Sequence, residues 1–322
     1  MVRVEREGRR HVTGRRAILL AGGRGTRLYP LSAVQSKQLA PVYDKPMIYY
    51  ALTTIMLSGI REVLVISTPN DIDRFEALLG DGSQWAIKIG YAVQSEPRGI
   101  AEALIIPREF LDGRQSLLML GDNLFYGRLD FLRDAAASTI DEATIFAYQV
   151  SDPSGYGVVE FGNDGRALRI EEKPSNPRSR WAVPGLYLYP SDASDIATRL
   201  APSARGELEI TDLNSRYLEQ GRLKVRIMGR GIAWFDTGTP KALLGASNFI
   251  EAVESRQGLI VGSPEEVAYR LGYIDRATLK STAMDLPESA YRDYLLQISE
   301  EVSLYATASS ISTIDPEAVS VP

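Results

Sequence analysis

Cysteine is absent from this 322-residue chain, and histidine occurs once, at His11. Without cysteine there is no disulfide, no thiolate nucleophile and no cysteine-ligated zinc. With one histidine, in a basic amino-terminal arm, a Ser-His-Asp hydrolase, a histidine-rich zinc site and a histidine general base are excluded. Chemistry is left to carboxylates, lysine, arginine, hydroxyls, backbone amides or a hard metal. No apolar run nears the ~20 residues that span a bilayer. Residues 1–16 (MVRVEREGRRHVTGRR) lack the apolar stretch of a signal peptide, so a cytoplasmic chain with no membrane partner is expected. The balance of 36 basic against 41 acidic residues leaves no general footprint for nucleic acid, so any cationic site must be local.

What is present is the pattern of an α/β protein. Strand-like apolar runs alternate with helix-like segments, which predicts a Rossmann-like, mostly parallel sheet flanked by helices. Expected strands are Ala17–Leu20, Glu62–Ser67, Lys88–Val93, Ser116–Leu120 and Thr144–Val150; expected helices are Pro46–Ser58, Asp71–Leu79 and Ile100–Leu111, the last despite Pro107. Between Tyr156 and Tyr189 the pattern turns to short alternating strands around Asn163-Asp164-Gly165, a hairpin signal and an antiparallel excursion. A helix over Glu209–Gln220 and strands over Lys224–Met228 and Ala233–Gly238 close the sheet. The expected organisation is a disordered leader (1–15), a main domain (16–240), a helical carboxy-terminal subdomain (241–300) and a disordered tail (301–322).

The most informative stretch is 17–46, AILLAGGRGTRLYPLSAVQSKQLAPVYDKP. A buried strand breaks into Gly22, Gly23 and Gly25, with Thr26, Arg27 and, ten residues on, Lys37. Glycines after a strand let backbone N–H groups approach an anion closely, and two fixed cations reinforce the attraction. The loop is not a Walker A motif, which ends Gly-Lys-Ser/Thr, nor a dinucleotide fingerprint, since Leu28 stands where a small residue is needed. A bare glycine turn can also be a plain connection between strand and helix.

Other residues carry a functional and an ordinary reading side by side. Asp122, in LLMLGDN, directly follows a buried strand, where open α/β sheets bind ligands, and can coordinate Mg²⁺ or simply close a turn. Asp236, in WFDTGT, is a site of the same kind. Glu171-Glu172-Lys173-Pro174 is either a solvated strand end or part of a site, and Arg205 either a loop charge or an anion contact. Gln94 has both a donor and an acceptor, suiting a pyrimidine edge, but is otherwise an unremarkable loop residue.

Taken together, the string from Gly22 through Lys37-Gln38-Leu39 to Pro46 resembles the signature of sugar-1-phosphate nucleotidyltransferases, in their thymidylyl-transferring branch. The resemblance extends from about Arg16 to Tyr294 through LGDGSQW (79–85), YGVVEF (156–161) and PEEVAYR (264–270). It implies transfer of a thymidylyl group from dTTP to glucose 1-phosphate, with Mg²⁺ held by Asp122 and Asp236. It also implies nucleotide contacts from Leu20, Gly22, Gly23, Gly25, Thr26, Arg27, Gln94, Gly99 and Asp122. Sugar-phosphate contacts are implied from Gly157, Glu172, Lys173, Val183, Tyr187 and Arg205, and the catalytic charges are Arg27, Lys37, Lys173 and Arg205. Family members are commonly homotetramers with a second, regulatory nucleotide site. In this reaction the nucleophile is already an anion, so the lack of histidine is expected.

Three departures stand out. Pro184, in Val183-Pro184-Gly185-Leu186-Tyr187, replaces the threonine usual in that segment. Glu102 replaces a usual glutamine and Arg98 a usual aspartate, both near the base-reading loop. Arg128 and Leu129 replace a usual His-Asp at the regulatory site, where Arg230 still matches.

Overall fold

The computed structural model describes residues 14–23, 25–138 and 141–301. The residues expected to form the leader up to 13, including His11, and the tail from 302 lie outside the described residues. Strand β1 (Arg15–Ala21) is almost wholly buried, as a parallel strand covered on both faces must be, and therefore reads as a continuous apolar run. A two-strand hairpin, β2 (Pro41–Val42) and β3 (Lys45–Pro46), leads into α1 (Met47–Leu57). Next come β4 (Glu62–Ser67), α2 (Ile72–Leu79), β5 (Lys88–Val93), α3 (Arg108–Leu111) and β6 (Gln115–Leu120). Strand β7 (Asn123–Tyr126), helix α4 (Asp130–Ala137) and strand β8 (Ala143–Gln149) follow.

The excursion comprises β9 (Gly157–Phe161), β10 (Ala167–Glu172), β11 (Trp181–Val183) and β12 (Leu186–Tyr189). The chain continues through α5 (Ala193–Ala197), α6 (Ile210–Glu219), β13 (Leu223–Ile227), β14 (Ala233–Asp236), α7 (Pro240–Gln257) and α8 (Pro264–Arg270). The main sheet runs β10-β9-β11-β8-β12-β6-β1-β4-β5, with β13 pairing β8. Its centre, β5-β4-β1-β6, is parallel, whereas β12, β11, β9 and β10 add antiparallel pairings. The core lies on the sheet faces, with Ile18, Ile66, Leu118, Ile145 and Leu213 fully buried. Each such side chain contributes about 1.5–3 kcal/mol by leaving water.

Two expectations need correction. The helix expected over Ile100–Leu111 is two pieces, a 3₁₀ turn at Ala101–Leu104 and α3. Pro107 has no N–H to continue the ladder; instead its carbonyl accepts from Leu111 N at 2.7 Å and starts the second piece. The strand ending at Gly238 does not close the main sheet. β14 pairs with β7, a strand the sequence reading did not anticipate, in a separate antiparallel ribbon that sets Asp236 opposite Asn123.

Residues 14–273 form one compact unit and 274–301 a second. The second is a helical hairpin, α9 (Arg276–Asp285) and α10 (Ala290–Glu300), capped by Asp275 and Ser289 and tied by ion pairs from Arg276 and Lys280 to Glu300. In the first unit α7 packs Ala246 and Ile250 against Val42, Met47, Tyr50 and Leu124.

Candidate active site

The register Leu20↔Leu120 brings the carboxyl ends of β1 and β6 side by side, the edge at which open parallel sheets bind ligands. A cavity of about 250 Å³ opens there. Leu20, Gly22 and Gly23 line one wall, and Arg27 and Lys37 reach it from the following loop. At Gly22 a Cβ would stand 2.8 Å from Gln94 Oε1, so a side chain there must displace the Gln94 amide. Gly25 and Thr26 do not line the cavity. They shape the loop instead: Gly25 takes φ +58°, caps the 3₁₀ turn Thr26–Leu28, and receives a 2.7 Å hydrogen bond from Ser32 Oγ on its carbonyl. The Arg27 guanidinium lies against the Asp236–Gly238 turn, where a Cβ on Gly238 would come within 2.7 Å of Nη2.

Asp122 and Asp236, distant in sequence, are brought together by the β7–β14 ribbon and both line the cavity. Lys37 Nζ donates to Asp122 Oδ2, and Asn123 Nδ2 donates to Oδ1 at 3.0 Å. Asn123 Oδ1 in turn accepts from Gly185 N (2.9 Å) and Trp234 Nε1 (2.7 Å), pinning the ribbon to the β11–β12 turn. The Asp122 carbonyl accepts from Thr237 N and Oγ1 at 3.0 and 2.8 Å. Burial pushes the Asp122 carboxyl up, but the Lys37 ammonium and the hydrogen bonds outweigh it and hold the carboxyl below its ordinary value. Asp236 goes the other way: burial and then the Asp122 charge raise it, and Lys37 and Arg27 offset this only in part. The carboxyl pair is short of positive charge.

Across the cavity stand Gly157, Glu172, Lys173, Val183 and Tyr187. Lys173 follows β10 in the left-handed region at φ +43°, an uncommon conformation for a residue with a side chain and one found at functional sites. Its N–H is held by the Tyr156 carbonyl at 3.0 Å. Glu172 accepts from Thr211 Oγ1 and lies 3.4 Å from both Lys173 Nζ and Arg205 Nη2. Arg205 does not line the cavity; it is engaged by Glu172, Glu207 and Glu209 at 3.4, 3.6 and 2.8 Å. Pro184 is buried behind the wall formed by its neighbours Val183 and Gly185.

Beside Gly22, Gln94 and Gly99 also line the cavity. Gly99 takes φ +112°, and a Cβ there would be 2.4 Å from the Leu208 carbonyl oxygen. This closeness lets Leu208 N donate to Arg98 O (2.6 Å) and Leu208 O accept from Ala101 N (3.1 Å), so the Gln94–Gly99 loop is tied to the Arg205–Leu208 segment. Sequence reasoning missed Gln38, Asn123, Thr211, Asn214 and Trp234 as lining residues. Asn123 and Trp234 were invisible without the ribbon. Thr211 and Asn214 carried a signal, as polar residues on the apolar, buried side of an amphipathic helix.

The residues that the resemblance matches to a regulatory site lie elsewhere. Gly127 packs against Gly231, whose oxygen would be 2.4 Å from a Cβ, while Arg128 is exposed and paired with Asp130. None of these lines the cavity.

Residues 16–253 match the family model described as nucleotidyl transferase. The chain belongs to this family. Among relatives of this nucleotidyl transferase, a glucose-1-phosphate thymidylyltransferase from Xanthomonas campestris pv. campestris is 51% identical over 91% of this chain and 100% of its own length. One of the same name from Mycobacterium tuberculosis is 52% identical, covering 88% of this chain and 99% of its own length. A solved Bacillus anthracis protein, provisionally named glucose-1-phosphate thymidylyltransferase and in complex with a sucrose, superimposes with TM-score 0.68 at 36% identity, over 73% of this chain and 94% of that one. A UDP-glucose pyrophosphorylase complexed with UDP-glucose shares the fold, with TM-score 0.65 at 21% identity over 76% and 99% of the two chains.

Proposed function

We propose that this nucleotidyl transferase joins glucose 1-phosphate to the thymidylyl group of dTTP, giving dTDP-glucose and pyrophosphate. The observation that carries the reading is the convergence of Arg27, Lys37, Lys173 and the Asp122–Asp236 pair on one cavity at the carboxyl edge of a parallel sheet. A phosphate oxygen of the sugar phosphate attacks the α-phosphorus. The bond from that phosphorus to the bridging oxygen breaks in line, and the electron pair leaves with pyrophosphate. The attacking oxygen is already anionic, so the task is to bring two polyanions together and to stabilise the leaving charge.

Arg27 and Lys37, beside the glycine loop, hold the triphosphate and its departing end. Lys173 and Arg205 hold the sugar phosphate, which competes with Glu172, Glu207 and Glu209 for the guanidinium. Glu172 and Tyr187 face the sugar, and Gln94 with the Gly99 loop faces the base.

The donor set suits a hard cation. Among the described residues no group of three or more His, Cys, Asp or Glu side chains could hold a metal, so a caged site is not built. Magnesium binds through one or two carboxylates and completes its shell with water and phosphate oxygens, and the Asp122 and Asp236 carboxylates that line the cavity fit that habit. Bound there, it supplies Lewis-acid stabilisation of triphosphate charge. Both substrates are charged metabolites that do not cross a bilayer unaided, which supports a cytoplasmic setting. The test is a panel of nucleoside triphosphates against sugar 1-phosphates with pyrophosphate detection. Preference for dTTP with glucose 1-phosphate is expected; preference for ATP or GTP, or inactivity on glucose 1-phosphate, rejects the reading.

A further inference from the structure

The three carboxylates around Arg205 are not equivalent. Glu209 is 6% exposed and grips one edge of the guanidinium with both oxygens, taking Nε on Oε1 at 3.1 Å and Nη2 on Oε2 at 2.8 Å. Parallel bonds of this kind fix the plane of the fork as well as its place. Glu172 and Glu207 meet only Nη2, at 3.4 and 3.6 Å, and both line the cavity. Nη1 is bonded to no described residue, so its N–H groups stay open beside that wall. Glu209 is also the N-cap residue of α6, where an acid ordinarily serves the helix end, yet its carboxylate caps no N–H there. Its remaining bond comes from Ser203 Oγ at 2.7 Å, and the same hydroxyl accepts from Arg205 N at 3.2 Å. The turn beneath is closed by Gly206 N to Ser203 O and Ser203 N to Glu207 O, each 2.8 Å. Backbone and guanidinium of Arg205 are thus anchored on one braced, buried acid.

We propose that Glu209 is a positioning residue for the sugar-phosphate end of the reaction: it holds the Nε–Nη2 edge of Arg205 so that the Nη1 edge is presented to the phosphate. This rests on the assignment of Arg205 to the sugar phosphate in the proposed transfer. The arriving phosphate displaces the longer contacts to Glu172 and Glu207 and leaves the Glu209 fork in place. A guanidinium held in advance loses less rotamer freedom on binding than one that swings in solvent. The opposite reading makes Glu209 one more anion competing with the phosphate, and the two readings differ in sign.

The experiment is a double-mutant cycle with Glu209→Gln and Arg205→Ala, read as kcat and KM for glucose 1-phosphate and for dTTP. Glutamine keeps one acceptor but sets an NH₂ against the guanidinium, so the fork is lost. With Arg205 present, Glu209→Gln should raise the glucose 1-phosphate KM about tenfold, the scale of a charge-assisted hydrogen bond. The dTTP KM should stay within about twofold. In the Arg205→Ala background the same substitution should change the glucose 1-phosphate KM by less than about twofold, because the group it acts through is gone. A glucose 1-phosphate KM that holds or tightens in Glu209→Gln makes Glu209 a competitor and overturns the proposal. An equal rise with and without Arg205 makes Glu209 merely structural and overturns it as well. Should Glu209→Gln melt far below wild type, Ser203→Ala replaces it in the cycle, with a rise of about threefold expected only when Arg205 is present. If wild type releases no pyrophosphate with any triphosphate, the transfer reading fails instead. Calorimetric titration of the full chain with inorganic phosphate across the same cycle then decides for or against Glu209 by the same pattern.

Discussion

Replacing Asp122 or Asp236 with asparagine should have opposite consequences for stability and the same consequence for activity. Asp122 and its partner Lys37 are largely buried, with side-chain exposures of 12% and 14%. Asparagine at 122 leaves the ammonium unpaired in a poor dielectric. Removing one member of a buried pair costs about 3–5 kcal/mol, and the residual exposure favours the low end, or about 6–10 °C in melting temperature. Asparagine at 236 keeps an acceptor for the 3.0 Å bond from Gly238 N and removes a charge that burial and Asp122 disfavour. That variant should melt at or above the wild-type temperature.

The pH dependence follows the same signs. A carboxyl raised above its ordinary 3.8, as Asp236 is, contributes stability at pH below that value and loses it as pH climbs through the raised folded value. In EDTA, Asp236→Asn should therefore gain on wild type as pH rises from about 4 to 7. Asp122, lowered from the same 3.8, contributes above that value and loses its contribution as pH falls. The Asp122→Asn deficit should accordingly shrink in acid. In Mg²⁺ both variants should lose about 10²–10³-fold in turnover, the several kcal/mol supplied by a metal Lewis acid. Differential scanning fluorimetry across pH and pyrophosphate release are the assays. Equal destabilisation by the two substitutions at every pH would refute the reasoning, and near-normal turnover in both would remove the metal assignment.

Lys173→Ala should raise the apparent KM for the sugar phosphate about tenfold or more, the scale of a charge-assisted hydrogen bond, while the nucleotide KM moves little; an unchanged sugar-phosphate KM places the lysine outside the site. Gly99→Ala forces a Cβ at φ +112° into the Leu208 carbonyl oxygen, 2.4 Å away, and should part the two tied loops. Backbone strain there is about 1–3 kcal/mol, so the melting temperature should fall by about 2–6 °C while KM for both substrates rises together; a nucleotide-only effect on KM would show the loops to be independent. Gly22→Ala meets only the far end of the Gln94 side chain, at 2.8 Å, and should weaken nucleotide binding selectively, as calorimetry with dTTP would show.

Much of the frame was legible because of how parallel sheets hide their strands. Glu62–Ser67 falls where its apolar run predicted, since a strand buried on both faces has no alternation to blur its limits, and Lys88–Val93, the half-exposed edge strand, also keeps its expected bounds. The glycine loop was legible because few other residues allow such close backbone approach. The break at Pro107 was also written in the sequence and should have been read as a stop. β7 was not legible: Asn123–Tyr126 is four residues long and pairs with a strand more than a hundred residues away.

The sequence by itself determined the chemical vocabulary: no thiol, one histidine outside the motifs, a glycine loop with Arg27 and Lys37, and two aspartates after strand-like runs. That vocabulary already excludes thiolate and histidine catalysis and suits charge neutralisation by fixed cations and a hard metal. The tertiary structure alone decided which charges meet. The β7–β14 ribbon brings Asp236 to Asp122, three carboxylates draw Arg205 away from the cavity lining, and Gln94 Nε2 donates to Glu102 behind the cavity wall. The physical reason is range. Burial periodicity and turn chemistry act over a few residues and leave a local mark, whereas the orientation of a carboxylate or an amide depends on partners that only folding supplies.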